Sequence, residues 1–224
     1  MAIESHYKVS GTWRRVSQPW YKVAGTWRQV SEIWYKVGGV WKQTFSLFSP
    51  FSQTFNSGSG STVVPTGAAQ LVITNYGSGG VGAFYDGNPA DAAGGGGGAY
   101  STRTIVITPA DWGATLTYAV GSPSSAALSV TNFSGTVSAG NGGDASSPNS
   151  GGAGGTASGG STNTNGTAGS NFAVNGGAGA GPSGGAGGAS SGANGSAFGG
   201  GGAGDSSGSG AGNGGAGQVK LDWT

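Results

Sequence analysis

Glycine dominates the second half of this sequence and limits what that half can fold into. The chain has 224 residues, 52 of them glycine, and blocks such as "GGAGAGPSGGAGGASSGANGS" (176–196) contain no large apolar side chain. A conventional side-chain core cannot form there. Gly/Ser tracts are usually flexible linkers. These blocks, however, recur along the chain, and apolar runs flank them on both sides.

A bundle of polyglycine II helices is the ordered alternative to a flexible linker. Such a helix has three residues per turn and no internal hydrogen bonds, so each backbone N–H is free to bond a neighbouring helix. Only glycine allows backbones to approach closely, while Ala or Ser is tolerated at outward positions. The sequence predicts such tracts over about 94–98 and 139–217, with a core made of backbone.

Runs of β-branched residues predict a β scaffold around these tracts. Examples are "STVVPTGAAQLVITNYG" (61–77), "AYSTRTIVITPADW" (99–112) and the closing "GQVKLDWT" (217–224). Turn formers separate the runs. We therefore expect an all-β or irregular fold with almost no α-helix. Its strands lie over about 61–138 and 217–224, and the last strand brings the C-terminus back to the scaffold.

Three tandem cassettes of 14 residues open the chain, two of them within "WYKVAGTWRQVSEIWYKVGGVWKQ" (Trp20–Gln43). Each has the frame Tyr-Lys-Val-x-Gly-x-Trp-Lys/Arg, which predicts a β-hairpin because Gly at the second loop position supplies positive φ. The predicted loops are Ser10-Gly11, Ala24-Gly25 and Gly38-Gly39. Their register places Lys8 opposite Trp13, Lys22 opposite Trp27 and Lys36 opposite Trp41, as cross-strand cation–π pairs.

The cassettes admit two interpretations. Their Trp and Tyr side chains form the core of a small meander, or they dock the chain onto a threefold-symmetric partner, one cassette per subunit. Seven of the nine Lys and Arg residues lie in 1–48, whereas six of the eight acids lie beyond residue 80, so the two parts have different partners. The acidic, glycine-rich remainder disfavours nucleic acid. We expect an attachment domain over 1–50, a linker over 51–60 and a glycine-rich binding domain over 61–224.

The residues that carry enzyme chemistry are scarce. The chain has one histidine, His6, and no cysteine, so a catalytic triad or thiolate metal site is not expected. Asp86 and Asp91 form a carboxylate pair within a turn-rich segment, which disfavours a glycosidase. No zinc or EF-hand spacing occurs. We expect a non-enzymatic protein with no cofactor or metal, and no membrane insertion, since no apolar run reaches 18 residues.

Together these features resemble one family, the glycine-rich tip adhesins on the long tail fibres of T-even-like tailed phages. The resemblance lies in the cassettes "WYKVAGTWRQV", the strand runs followed by glycine blocks, and the closing "GGAGQVKLDWT". In that family a small N-terminal domain caps the trimeric fibre. Polyglycine helices then present loops to an outer-membrane protein or a surface glycan such as lipopolysaccharide.

The resemblance implies two sets of functional residues on a virion protein at the distal tip of the fibre. The segments between glycine blocks combine aromatic and small polar residues, as antibody loops do. An ice-binding polyglycine protein and a fibre-assembly chaperone are the alternatives. The implied fibre-docking residues are Trp13, Trp20, Trp27, Trp34, Trp41 and Phe48, and the implied receptor-binding residues are Phe84, Tyr85, Asp86, Asn88, Asp144, Asn149, Asn163, Asn165, Asn171, Phe172 and Asp205.

Overall fold

A computed structural model of the chain describes residues 6–9, 12–15, 19–46, 48–84, 92–121, 124–146, 150–205 and 210–224. Over these residues the protein is all-β, with one 3-10 turn at Pro109–Asp111 and no α-helix, as the sequence predicts. The described chain has three parts: N-terminal hairpins, a β-sandwich, and a bundle of extended glycine-rich segments.

Three β-hairpins come first. Their strands are β1 His6–Val9, β2 Thr12–Arg15, β3 Trp20–Val23, β4 Thr26–Gln29, β5 Glu32–Val37 and β6 Val40–Ser46. The pairs Lys8–Trp13, Lys22–Trp27 and Lys36–Trp41 confirm the predicted register. The two described turns have positive φ at both positions, 47° and 84° at Ala24-Gly25 and 60° and 83° at Gly38-Gly39, which is the type I′ geometry of a two-residue loop. Ser10 and Gly11 lie outside the described residues.

Two five-stranded antiparallel sheets form the sandwich. Its strands are β7 Phe51–Phe55, β8 Gly58–Val63, β9 Gln70–Tyr76, β10 Tyr100–Val106, β11 Thr115–Val120, β12 Ser124–Val130, β13 Phe133–Ala139, β14 Ala157–Ser158, β15 Thr162–Thr164 and β16 Gln218–Trp223. The first sheet has the order β15-β10-β9-β16-β7 and the second β14-β13-β12-β11-β8. The predicted closing strand is therefore confirmed, and it lies inside a sheet, between β9 and β7.

The sandwich core follows from alternation along the strands. In β16 the residues Val219, Leu221 and Trp223 are buried and those between them are partly exposed. They pack with Leu71 and Ile73 of the same sheet against a facing layer of apolar residues in the second sheet. That facing layer includes Leu116, Ala126, Leu128 and Val137.

The predicted linker at 51–60 is wrong. Residues 51–55 form β7, which pairs with β16, and residues 58–60 begin β8, which pairs with β11. Their composition of Ser, Gly, Gln and Asn is typical of a linker, but both strands are edge strands, where a polar outer surface is tolerated. Because Phe51 pairs with Trp223 at the end of β16, the chain enters the sandwich at the pole farthest from the glycine-rich segments.

A buried carboxylate locks two loops of the sandwich at that pole. Asp111 accepts hydrogen bonds from the backbone N and Oγ1 of Thr108 (2.8 and 2.7 Å) and from the same two atoms of Thr131 (2.8 and 2.7 Å). Burial acts to raise the pKa of Asp111, but the four hydrogen bonds outweigh it and lower that pKa from 3.8 to about 2.

Asp111→Asn is expected to lower the free energy of unfolding by about 2 kcal/mol at pH 7, because an amide cannot accept all four bonds. A carboxylate with a depressed pKa contributes stability above its ordinary pKa of 3.8, and that contribution disappears as the pH falls toward 2. Urea unfolding therefore measures the free energy of unfolding of the unchanged protein and of the Asp111→Asn variant at pH 7 and near pH 2. The difference between the two proteins should be smaller near pH 2. Asp222→Asn is the control, since its partly exposed ion pair with Lys220 contributes under about 1 kcal/mol. Equal losses in the two variants would contradict the role of Asp111.

The glycine-rich chain forms extended segments that bond to one another through backbone alone. The hydrogen bonds of residues 94–99 show a period of three, because their N–H groups point in turn at three neighbouring segments. Gly94 and Gly97 donate to Ser170 and Thr167, Gly95 and Gly98 to Gly202 and Gly199, and Gly96 and Ala99 to Gly143 and Gly140.

Three further segments bond to the carbonyl groups of 94–99. These carbonyls accept from residues in 77–83, 151–156 and 174–180, so every N–H and every C=O of 94–99 is bonded. Residues 199–205 likewise have six neighbouring segments. Within the described residues the bonds order ten segments in three layers: 140–146, 77–83 and 211–217; then 151–156, 94–99, 199–205 and 193–196; then 165–170, 174–180 and 184–189.

Close backbone packing explains why the inner segments are glycine. A Cβ built on Gly94, Gly96 or Gly97 would lie 1.8–1.9 Å from a carbonyl oxygen of a neighbouring segment. Outward positions carry Ala, as at Ala153 and Ala178, and these are exposed. The polyglycine II prediction is thus confirmed, but its limits change, since 77–83 belongs to the bundle and β14 and β15 interrupt 139–217.

Candidate functional site

The bundle has one end at the sandwich and one end far from it. Strand β9 runs directly into 77–83, β13 runs into 140–146, and 94–99 and 211–217 run into β10 and β16. The far end therefore contains Ala83, Gly94, residue 146 and residue 211. We call this end the distal tip. There Ala83 N donates to Ala93 O (2.8 Å), Gly94 N to Ser170 O (3.1 Å) and Asp205 N to Ala83 O (3.1 Å).

Two phenylalanines are exposed at the distal tip. Phe84 is 45% exposed and Phe172 is 61% exposed. Their neighbours Ala83 and Ala173 both bridge to Ala93, so the backbones of the two phenylalanines lie on either side of one segment. Phe172 has a φ of 52°, in the left-handed region that is strained for an aromatic residue. It occupies the tight turn between 165–170 and 174–180.

The other predicted receptor residues near the tip have structural roles. Asp144 Oδ1 accepts from Val81 N (2.7 Å) and Asn171 Oδ1 from Gly151 N (2.6 Å), so both side chains bond outward N–H groups of neighbouring segments. Asp205 is fully buried and accepts from Ser191 Oγ and Gly210 N. These carboxylate and amide oxygens complete the lattice at its edges.

Asn163 and Asn165 lie at the opposite end of the bundle. Asn163 is in the edge strand β15, where its Oδ1 accepts from Ser101 Oγ (2.7 Å) and Gly160 N (3.1 Å). Asn165 Oδ1 accepts from Ala157 N (3.1 Å), which joins the first turn of 165–170 to β14. The structure therefore does not bring these two residues together with Phe84 and Phe172. Tyr85, Asp86, Asn88, Asn149 and the carboxylate Asp91 lie outside the described residues.

A second exposed surface lies on the N-terminal hairpins. One face of β3–β4 carries Trp20 (53% exposed) and Trp27 (62%), and the equivalent face of β5–β6 carries Trp34 (48%) and Trp41 (61%). The Nζ atoms of Lys22 and Lys36 lie 5.7 Å from the ring centroids of Trp27 and Trp41, which confirms two of the predicted cation–π pairs. Trp34 Nε1 also donates to Glu32 Oε2 (2.8 Å). The backbone of Trp13 is described, but its side chain lies outside the described part.

The meander interpretation of the cassettes is wrong for the described hairpins. β3–β4 and β5–β6 are each a separate two-stranded sheet, and their tryptophans are exposed rather than packed in a shared core. Phe48, predicted to dock with these tryptophans, packs instead on the sandwich core, with its ring 5.9 Å from that of Phe51.

Sequence reasoning did not assign a docking role to the opposite hairpin face. There Tyr21, Val23, Val37 and Val40 are 47–60% exposed. The signal for them is the same repeat, since Tyr-Lys-Val recurs at 7–9, 21–23 and 35–37 and alternate strand residues share a face.

Within the described residues, no group of three or more His, Asp or Glu side chains could hold a metal ion. No helix in that part of the chain is long and apolar enough to cross a membrane. Compared with known proteins, the chain matches no protein-family model and no curated sequence. The hairpin faces and the distal tip are the two exposed surfaces of the described residues that are candidates for binding a partner.

Proposed function

We propose that this protein is a non-enzymatic adhesin at the tip of a phage tail fibre. Its hairpins dock on the trimeric fibre, and its distal tip binds an outer-membrane protein or a surface glycan of the host bacterium. The virion, at the far end of the fibre, is its proposed location. The proposal extends the family resemblance of the cassettes and the glycine-rich segments.

One observation carries the proposal: the chain passes from the hairpins into the sandwich at the pole opposite the distal tip. The chain leaves the hairpins and enters the sandwich at Phe51, at the pole farthest from the glycine bundle. Phe84 and Phe172 are exposed at the far end of that bundle. A bundle whose segment 94–99 has every backbone N–H and C=O bonded to its neighbours is a rigid spacer, so attachment at one end leaves the other end free to meet a cell surface.

Binding to cells tests this function. Full-length protein bound to a fluorescently labelled trimeric fibre fragment is mixed with Gram-negative strains that each lack one outer-membrane protein or carry truncated lipopolysaccharide. We expect binding to disappear in one strain. Binding to no strain, while the protein still caps the fibre, would contradict the adhesin and favour an assembly chaperone.

Phe84→Ala combined with Phe172→Ala is expected to weaken binding to cells about 1000-fold, since exposed aromatic anchors commonly contribute about 2 kcal/mol each at an interface. Both side chains are exposed, so the melting temperature should stay close to that of the unchanged protein. Val106→Ala, which truncates an exposed residue at the other pole (57% exposed), is the matched control and should bind normally. Unchanged binding by the phenylalanine variant would move recognition away from these two residues.

A further inference from the structure

Five Asn-Gly pairs lie in the glycine-rich half of the chain, and their asparagines are Asn141, Asn165, Asn175, Asn194 and Asn213. Asparagine is chemically labile before glycine, because a residue without a Cβ leaves its backbone nitrogen open to approach the neighbouring side-chain amide. The glycine nitrogen bonds to Cγ of the asparagine, and the displaced NH₂ group takes up the N–H proton and leaves as ammonia. Water then opens the cyclic imide, and the residue becomes aspartate or isoaspartate.

The glycine N–H must be free for this reaction, and the bundle binds it at four of the five pairs. At these four pairs it donates to a carbonyl oxygen of a neighbouring segment at 2.8–3.0 Å, as found for Gly142, Gly166, Gly176 and Gly195. The N–H of Gly214 has no acceptor within the described residues. The pair Asn213-Gly214 therefore differs from the other four.

The place of segment 211–217 in the bundle explains the unbonded N–H of Gly214. Successive N–H groups of a polyglycine II segment point in three directions. Gly212 and Gly215 donate to residues of 199–205, and Asn213 N donates to Oδ1 of Asn194 (2.8 Å). No described residue accepts in the third direction, because 211–217 lies at the end of the outer layer.

The side chain of Asn213 is also unbonded. Those of Asn141, Asn165 and Asn194 accept backbone N–H groups, which hold them in place. Asn213 and Asn175 are exposed, and neither side-chain amide has a hydrogen-bond partner in the part of the chain that the structure describes. At Asn175, however, the N–H of the following glycine is bonded. Both reacting groups are unbonded only at Asn213-Gly214, among the described pairs.

We propose that Asn213-Gly214 is the site at which this protein ages by deamidation, with water as the second reactant. In the isoaspartate product the backbone runs through the former side chain, which lengthens it by one carbon atom. Segment 211–217 cannot accommodate that atom, because it is bonded on both sides of Asn213. Gly82 N donates to Gly212 O (3.1 Å), and Gly79 N donates to Gly215 O (2.9 Å). Deamidation therefore weakens the outer layer of the bundle.

Peptide mass spectrometry of the full-length protein tests the site after incubation in mildly alkaline buffer. We expect Asn213 to react about tenfold faster than Asn175, since reaction at Asn175 first requires the opening of a hydrogen bond in the bundle. Asn175 is the matched control, because each of the two backbone carbonyls accepts one bond, from Ser170 N (2.9 Å) and Gly195 N (2.8 Å).

The unfolded chain supplies the reference rates. In concentrated urea all five asparagines should react at similar rates, because glycine follows each of them. Equal rates at Asn213 and Asn175 in the folded protein would overturn the proposal. A faster reaction at any other pair would overturn it too.

Asn213→Ser and Asn213→Asp test the consequence for the bundle. The first change removes the reactive amide, and the second adds the charge of the product without lengthening the backbone. The side chain of Asn213 is exposed and unbonded within the described residues, so both fresh variants should unfold at the same urea concentration as the fresh unchanged protein. After incubation the unchanged protein should unfold at a lower urea concentration, and Asn213→Ser should not.

An equal loss of stability in the incubated Asn213→Ser variant would overturn Asn213 as the site of ageing. A fresh Asn213→Asp variant that is already as unstable as the incubated unchanged protein would overturn the lengthened backbone as the cause.

Discussion

Gly97→Ala is expected to disrupt the glycine bundle, although it adds a single methyl group. The new Cβ would lie 1.9 Å from the carbonyl oxygen of Ala178, and Gly97 also bonds Thr167 and Gly155 through its own backbone. Neighbouring segments must separate, and their bonds to 94–99 must lengthen or break. We expect a loss of about 3 kcal/mol or more in the free energy of unfolding, measured by urea denaturation followed by circular dichroism.

Ala153→Ser is the matched control for Gly97→Ala. It also adds one heavy atom, but at an exposed, outward position of segment 151–156. We expect its stability to stay within about 0.5 kcal/mol of the unchanged protein. If the two variants unfold at the same urea concentration, close backbone packing does not support the bundle, and its glycines are there for another reason.

Trp27→Ala combined with Trp41→Ala is expected to abolish association with the trimeric fibre. The two indoles are 62% and 61% exposed in the chain alone and each pairs with a lysine, so truncation removes interface area without opening a core. Interface aromatics of this kind commonly contribute about 2 kcal/mol or more each. The dissociation constant for a trimeric fibre fragment should therefore rise about 1000-fold, as measured by biolayer interferometry.

The tip variant provides the complementary control. Phe84→Ala with Phe172→Ala should keep its affinity for the fibre and lose its affinity for cells. The tryptophan variant should lose its affinity for the fibre. When that variant is coupled to a surface by another route, it should still bind cells. The melting temperature of the sandwich should be the same in both variants, since none of the four side chains belongs to its core. Loss of both activities in either variant would show that the two surfaces are not independent.

The hairpins and the outline of the fold could be predicted because their determinants are local. Gly25 and Gly39 select the turn, and the turn length then fixes Lys22 opposite Trp27 and Lys36 opposite Trp41. The closing strand β16 could be predicted because apolar residues alternate with polar ones at the end of the chain. The glycine-rich tracts that precede it cannot form a side-chain core. The strands at 51–60 could not be predicted, because they pair with β16 and β11, which are distant in sequence.

The candidate tip was predicted less well, because its contacts also join segments that are distant in sequence. Asp144, Asn165 and Asn171 have the composition of binding loops, but their oxygens accept hydrogen bonds from Val81, Ala157 and Gly151 in adjacent segments. Only the order of the segments in the bundle shows which outward N–H group each side chain meets. The same order places Phe84 and Phe172 on either side of Ala93.

The sequence by itself therefore determined the all-β class, the three hairpins with their register, and a core made of glycine backbone, because turn chemistry, alternation and the missing Cβ act over a few residues. The tertiary structure alone decided which segments are neighbours, which end of the bundle is the distal tip, and which polar side chains complete the lattice. Backbone hydrogen bonds between glycine segments carry no side-chain code, so their partners depend on where the sandwich strands start and end each segment.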